Sequence, residues 1–361
     1  MIIAAHNEED SIDQKLDNVL SLDYPAEKFE VLVASDGSRD NTEAIVRRRS
    51  ERSVRLLALP RVGKATALNQ AVASANGEVL VFSDANSMYA PNAIRELVKP
   101  LADPRVGGVA GDQRYVKSND QNTLSADGEK RYWDFDRKLK LYESQGGNVI
   151  SATGASYAIR RVLFKSVPDG VTDDFVTSTR VISQGYRLVF AALAAAYEPV
   201  AGSSEVELGR KVRVTTRGLR GVVVMRELLN PLRYGFYSLQ LASHKLLRRL
   251  AFVPLLAIFI SSLALCLENW LYMSAAVVQL SFCGLAMMGM LASRVRMPKL
   301  RVMSLPFYFC LVNAACMFAC WNLLRGRRID RWEPQRNDTL PARRGGPAAN
   351  ELSLGSSASS R

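Results

Sequence analysis

The chain opens with short apolar runs separated by segments of helical period. Met1–Ala5, Phe29–Ala34, Val54–Leu59 and Val79–Phe82 are each long enough for a buried strand and too short for a buried helix. Between them, Asp10–Leu20 places Ile12, Leu16, Val19 and Leu20 on one helical face. Gly37 supplies a turn, and Asp40 or Asn41 can cap the helix that follows. A third helix starts near Gly63–Asn69, and a fourth begins with Pro91 in its first turn. Val106–Val116 is a fifth extended run, Val149–Ile159 a small-residue extended stretch, and Arg187–Ala196 a return to strand character. Glu129–Ser144 reads as a core-packing helix carrying Tyr132, Trp133, Phe135 and Tyr142, and Val176–Gly185 as another helix. Strands alternating with helices at this spacing predict an α/β fold with a doubly wound, mostly parallel sheet over residues 1–204.

After residue 204 the pattern changes. Residues 205–249 interleave basic residues with Val, Leu, Tyr and Phe, which predicts amphipathic helices lying on a membrane surface and broken at Pro231. Three apolar segments follow at 250–267, 271–293 and 302–324, each near the length of a membrane-spanning helix. Residues 325–361 read as a basic, largely disordered tail.

Charge sharpens this division. The net charge of +12 is concentrated late, because residues 1–204 carry 25 Lys/Arg against 27 Asp/Glu. Residues 205–249 carry 10 against 3, and residues 294–361 carry 12 against 4. A positive excess flanking apolar segments suits anionic membrane lipids, and no zinc-finger or aromatic-interleaved basic motif points to nucleic acid. Basic residues before the first segment and after the second put both of those flanks in the cytoplasm, with the N-terminal region, as in an inner-membrane protein of several passes. The third segment, followed by Arg325, Arg327 and Arg328, conflicts with that rule if it spans; it contains Pro306, and spanning is the favoured reading over re-entry. The five cysteines lie in apolar segments without metal-ligand spacing, and no secretory signal opens the chain. A buried strand at Met1 has no lead-in, so a segment upstream is expected.

The candidate chemistry sits where strands end. Asp84 and Asn86 follow the Val79–Phe82 run, at the edge where open α/β sheets bind ligands. Their oxygens suit Mg²⁺ or Mn²⁺ against a diphosphate, although Asp, Asn and Ser also simply favour turns. Asp36 ends the second strand and comes to the same edge, suited to a base or ribose. Asp173 and Asp174 stand at a helix start; one carboxylate suffices for the helix dipole, leaving the other as a general base. Gly154 and Ser156 lie in a small-residue stretch that lets a bulky ligand approach the backbone. Gly63-Lys64 lacks the upstream glycine of a phosphate-binding P-loop.

These motifs together resemble membrane-bound family 2 glycosyltransferases of GT-A fold, of the cellulose, hyaluronan and poly-N-acetylglucosamine synthase type. The carrying residues are Asn7-Glu8, Ser35–Thr42, Gly63-Lys64 with Ala67-Leu68-Asn69, Asp84-Ala85-Asn86, Thr153-Gly154 and Thr172-Asp173-Asp174, and the likeness runs to about residue 333. The resemblance implies a nucleotide-sugar donor, with UDP as the carrier, held by Asn7, Glu8, Asp36, Lys64, Asn69, Asp84, Arg217 and Arg220. It implies a divalent metal at Asp84 and Asn86, Asp174 as base with Asp173 beside it, and an acceptor bound at Gly154 and Ser156. It departs from the family where Asn86 replaces an Asp, Asp173 replaces a Glu, and Arg217-Gly218-Leu219-Arg220-Gly221 stands for Gln-x-x-Arg-Trp. The expected activity is inverting sugar transfer to a growing polysaccharide or glycan, with export partners. The alternatives are a single transfer to a polyprenyl phosphate or other lipid, and a non-catalytic scaffold of an export complex. Family members usually carry membrane helices before the first strand.

Overall fold

The computed structural model describes residues 1–49, 54–116, 136–199, 207–294 and 301–327. Its N-terminal half is one eight-stranded sheet: β1 (Ile2–Ala5), β2 (Val31–Asp36), β3 (Val54–Leu59), β4 (Val79–Asp84), β5 (Met88–Tyr89), β6 (Val106–Val116), β7 (Tyr157–Arg160) and β8 (Arg187–Pro199). The order is β3-β2-β1-β4-β7-β6-β8-β5. β3, β2, β1 and β4 run parallel, as do β6 and β8, while β7 lies antiparallel between β4 and β6 and β5 pairs antiparallel with β8. The sheet is thus mixed α/β and mostly parallel, as the alternation predicts.

Burial on both faces explains why β1 and β2 read as near-continuous apolar runs. Ile2, Leu32, Ala34, Leu80 and Phe82 face one layer, with Ala67, Leu68 and Ala71 of α3 (Lys64–Ser74). Ile3, Val31, Val33 and Val81 face the other, with Ile12, Leu16 and Val19 of α1 (Glu9–Leu20). Alternation along each strand and a 3.6-residue stripe along each helix are what allow one sheet to hold two layers. α2 (Thr42–Arg48), α4 (Ala93–Val98), a helix over 136–146 called α5, and α6 (Asp173–Ser183) complete the layers.

One boundary differs from the reading of the pattern. Only Tyr157–Arg160 of the 149–159 stretch pairs as a strand; the preceding small residues form a loop against the sheet edge. The aromatics Tyr132, Trp133 and Phe135 lie outside the described residues.

The C-terminal half is helical. α7 (Glu207–Val224) is followed by a one-turn helix, Pro231–Tyr234, whose first position is the proline and whose cap is Asn230, with Oδ1 accepting from the Leu232 N–H at 3.0 Å. α8 (Phe236–Leu250) then meets α9 (Phe252–Ala264) at a 42° bend. α10 (Trp270–Arg294) and α11 (Arg301–Leu324) each contain a run long and apolar enough to cross a membrane, and the bent pair would make a third. α9 has 13 residues, short for a bilayer core, so the apolar 250–267 segment needs α8 to become a span.

Candidate active site

β1, β2 and β4 are parallel neighbours, so their C-terminal loops emerge together. Ala4 pairs with Ala34 on one side and Asp84 on the other, which puts the strand-ending Asp36 and Asp84 and the loop residue Asn7 along one edge. The loop into α3 brings Lys64 to the same place. Lys64 Nζ lies 2.8 Å from Asp84 Oδ1 and 3.4 Å from Asp173 Oδ2. One buried ammonium therefore joins a carboxylate from the sheet edge to one from the start of α6, 89 positions further on. Burial alone would make that ammonium easier to deprotonate, but Asp173 and Asp84 outweigh it and hold it charged.

Asp174 is the next residue of α6. Its Oδ1 accepts the Phe175 N–H at 2.7 Å. Burial, then the charge of Asp173, pushes its carboxyl up to about 6, against the pull of Lys64 and the Phe175 N–H. A carboxyl tuned upward beside a fixed cation suits proton transfer near neutral pH. Gly154 is placed to leave room here: a Cβ on it would stand 2.7 Å from Asp84 Oδ2. That oxygen accepts no hydrogen bond among the described residues, and Asn86 is exposed on the turn two residues on. An open carboxylate oxygen beside a cradle kept clear by glycine is chemically suited to a hard divalent cation, while no group of three His, Cys, Asp or Glu side chains is assembled for one among the described residues.

The other expected residues divide. Asp36 is fully buried, and its carboxylate is occupied by its own protein: Val62 and Gly63 N–H donate to Oδ1 at 2.7 and 2.8 Å, and Arg61 to Oδ2 at 3.1 Å. It pins the loop that delivers Lys64. Gly37 must be glycine for this packing, with φ of 62° and a Cβ position 2.8 Å from the Arg61 nitrogen. Asn7 adopts φ of 54° and accepts the Arg39 N–H at 2.8 Å, and Glu8 accepts from Ser11 at 2.9 Å, so both shape the β1 and β2 loops.

Asn69 is spent on structure, because its amide exchanges hydrogen bonds with both Val167 backbone groups at 2.8 and 2.9 Å. Ser156 is fully buried, with its hydroxyl against Gly111, so it lies beneath the surface rather than facing an acceptor. Arg217 donates to the Val171 carbonyl at 3.0 Å, steadying the approach to Asp173, whereas Arg220 reaches the Arg327 carbonyl at 3.4 Å beyond α11. The pattern along the chain missed Arg61, and it missed Lys15, Ser83, Ser87 and Glu198 beneath the Asp84 turn. Lys15 carried one signal: a cation at a position of α1 next to Leu16 and one turn after Ile12.

Residues 1–167 match the family model described as glycosyl transferase family 2. Over that stretch, a little under half of its length, the chain carries a glycosyltransferase family 2 domain. Among curated relatives, a probable glycosyltransferase YdaM of Bacillus subtilis is 29% identical over 214 residues, covering 55% of this chain and 50% of the relative. A poly-beta-1,6-N-acetyl-D-glucosamine synthase of Staphylococcus aureus is 28% identical over 200 residues, covering 54% and 48%. The chain thus spans about half the length of these relatives. Among solved structures, a mannosyltransferase from Pyrobaculum calidifontis in complex with GDP-Man and Mn²⁺ superposes with a TM-score of 0.68 at 24% identity, over 91% of this chain and 87% of that one. Residues 1–349 of S. aureus TarS superpose at 0.51 and 17% identity, over 90% of each chain. These likenesses establish the fold: a mixed α/β, GT-A-like domain followed by long apolar helices.

Proposed function

We propose that this glycosyltransferase carries out inverting transfer of a sugar from a UDP-sugar to a glycan acceptor at the cytoplasmic face of the membrane, in assembly of a cell-envelope polysaccharide. The observation that carries the reading is the convergence of Asp84, Asp173 and Asp174 on Lys64 at the C-terminal edge of the sheet. Asp174 removes the proton from the attacking acceptor hydroxyl, which displaces the nucleoside diphosphate from the far face of the anomeric carbon. Lys64 stands where charge grows on the departing phosphate and can stabilise it electrostatically. Asp84 and Asn86 would hold Mg²⁺ or Mn²⁺, which supplies further positive charge to the diphosphate. The Mn²⁺ bound by the Pyrobaculum mannosyltransferase of the same fold supports that part.

The chain divides on this reading into a catalytic domain over 1–204, an interfacial region over 205–249, membrane helices within 250–324 and a basic tail. α8 supports the interfacial role. It exposes Phe236, Leu239 and Leu247, while its Lys245 Nζ lies 5.6 Å from the ring centroid of Phe175, next to the base. Helix α8 therefore ties the start of α6 to the membrane surface, which also favours a membrane-borne acceptor; transfer of a single sugar to a lipid phosphate is the second reading.

The test is UDP release by purified protein in detergent with UDP-glucose, UDP-N-acetylglucosamine, UDP-galactose or GDP-mannose, with Mn²⁺ or Mg²⁺, for wild type and Asp174→Asn. Turnover with one UDP-sugar, lost in the variant, is expected. Equal rates in the two proteins would remove Asp174 as base. Product length separates a polymer from a single transfer.

A further inference from the structure

Below the Asp84–Asn86 turn the protein buries two opposite charges. Lys15 of α1 is fully buried, and its Nζ donates to Ser83 Oγ at 2.8 Å and to the Ser87 carbonyl. Its ammonium also lies 4.3 Å from the Tyr89 ring centroid. From the other side, Glu198 of β8 accepts from the Ser87 hydroxyl and, at 2.6 Å, from Gln113. Ser87 is thus held twice, by its carbonyl to a cation and by its hydroxyl to an anion. Ser83 and Ser87 bracket Asp84, Ala85 and Asn86.

Burying an ionised lysine and an ionised glutamate is costly, and apolar residues of similar volume would stabilise a sheet layer as well. A fold that keeps them at this point gains geometry rather than stability. Burial pushes the Lys15 ammonium down to about 7, with Asp84 and Glu198 pulling it back up.

The geometry points to Lys15 and Glu198 as positioning residues that clamp both ends of the Asp84–Asn86 turn through Ser83 and Ser87, setting the height at which Asp84 and Asn86 meet the metal and diphosphate. Neither residue touches the donor; each acts through the serines. The inference rests on reading that turn as the donor's metal-diphosphate site.

The experiment is calorimetric titration of full-length protein in detergent with UDP, with and without Mn²⁺, for wild type, Lys15→Met, Glu198→Gln and the double variant, with melting temperatures recorded. Lys15→Met should weaken Mn²⁺-dependent UDP binding by about tenfold or more, in the range seen when outer-sphere partners of metal ligands are lost. Binding without metal should change far less. Because removing one charge leaves the other buried and uncompensated, the double variant should bind better than the two single losses multiplied together would give. Wild-type affinity in Lys15→Met, strictly multiplicative losses, or equal loss with and without metal would each overturn the clamp. If Lys15→Met does not fold, Ser87→Ala, which cuts the link to Glu198 alone, must show the same metal-dependent loss or the clamp falls. Failure of wild type to bind UDP, or GDP titrated in the same way, with Mn²⁺ would instead sink the donor-site reading, and the clamp with it.

Discussion

Lys64 Nζ stands 2.8 Å from Asp84 Oδ1, so a lysine from the start of α3 neutralises the carboxylate that ends β4. The same ammonium reaches Asp173 and brings α6 to the sheet edge. This contact closes the site from two sides.

Lys64→Met should therefore damage both construction and chemistry. It removes the cation from beside two carboxylates and takes away a charge from the leaving phosphate. We expect kcat to fall by about 100-fold, the scale on which single electrostatic stabilisers act. Steady-state UDP release checks this, and a rate within a factor of two of wild type would refute the role given to Lys64.

The pH dependence follows from Asp174, whose carboxyl is pushed up to about 6 by burial and by Asp173. A base works only when ionised, so kcat should rise with pH to about 6 and level off above it. Asp173→Asn removes the like charge and should move that limb to lower pH; Lys64→Met removes the opposing cation and should move it higher. Stability runs the other way. Ionising a carboxyl whose folded pKa is raised costs folding free energy, so melting temperature should drop as pH climbs from the ordinary carboxylate range through 6, and Asp174→Asn should lack that drop. A flat rate profile across this window would remove Asp174 as the titrating base.

Gly154→Ala tests the cradle. The added Cβ meets Asp84 Oδ2 at 2.7 Å and must push the carboxylate aside. Because Gly154 lies on a loop beside the sheet, the fold should survive while Mn²⁺-dependent UDP binding falls. Unaltered binding in calorimetry would show that Asp84 needs no such clearance.

Asp36→Asn separates a loop pin from a nucleotide contact. Asn keeps an acceptor for the Val62 and Gly63 N–H groups but presents an amide N–H₂ to Arg61. Loosening of residues 61–63 should appear as faster proteolysis there, together with a raised KM for donor. A raised KM with unchanged proteolysis would favour direct contact with the nucleotide.

α10 and α11 carry enough apolar length to cross a bilayer. After expression, the protein should stay with membranes through an alkaline carbonate wash and leave them only in detergent. Release by carbonate would show that these helices lie on the bilayer rather than in it.

Local pattern accounts for much of this molecule. Runs such as Val31–Ala34 and Val79–Phe82 are uniformly apolar because both faces of a parallel strand are covered, and that alone specifies strand and neighbourhood. The acidic ends Asp36 and Asp84 are legible for the same reason: a charge directly after a buried strand must lie at the sheet edge. Side-chain partners are not legible, since they join positions far apart. Asn69 sits in a family motif and Ser156 in a small-residue stretch, yet one is consumed by Val167 and the other is roofed by Gly111, outcomes set by packing 98 and 45 positions away. Arg220 points to Arg327 because helix rotation, invisible in a five-residue match, aims it there. Lys15 shows the limit most clearly. Its helix is predicted by the apolar face it shares, but whether a cation on that face snorkels to water or braces a turn depends on which strand packs over it.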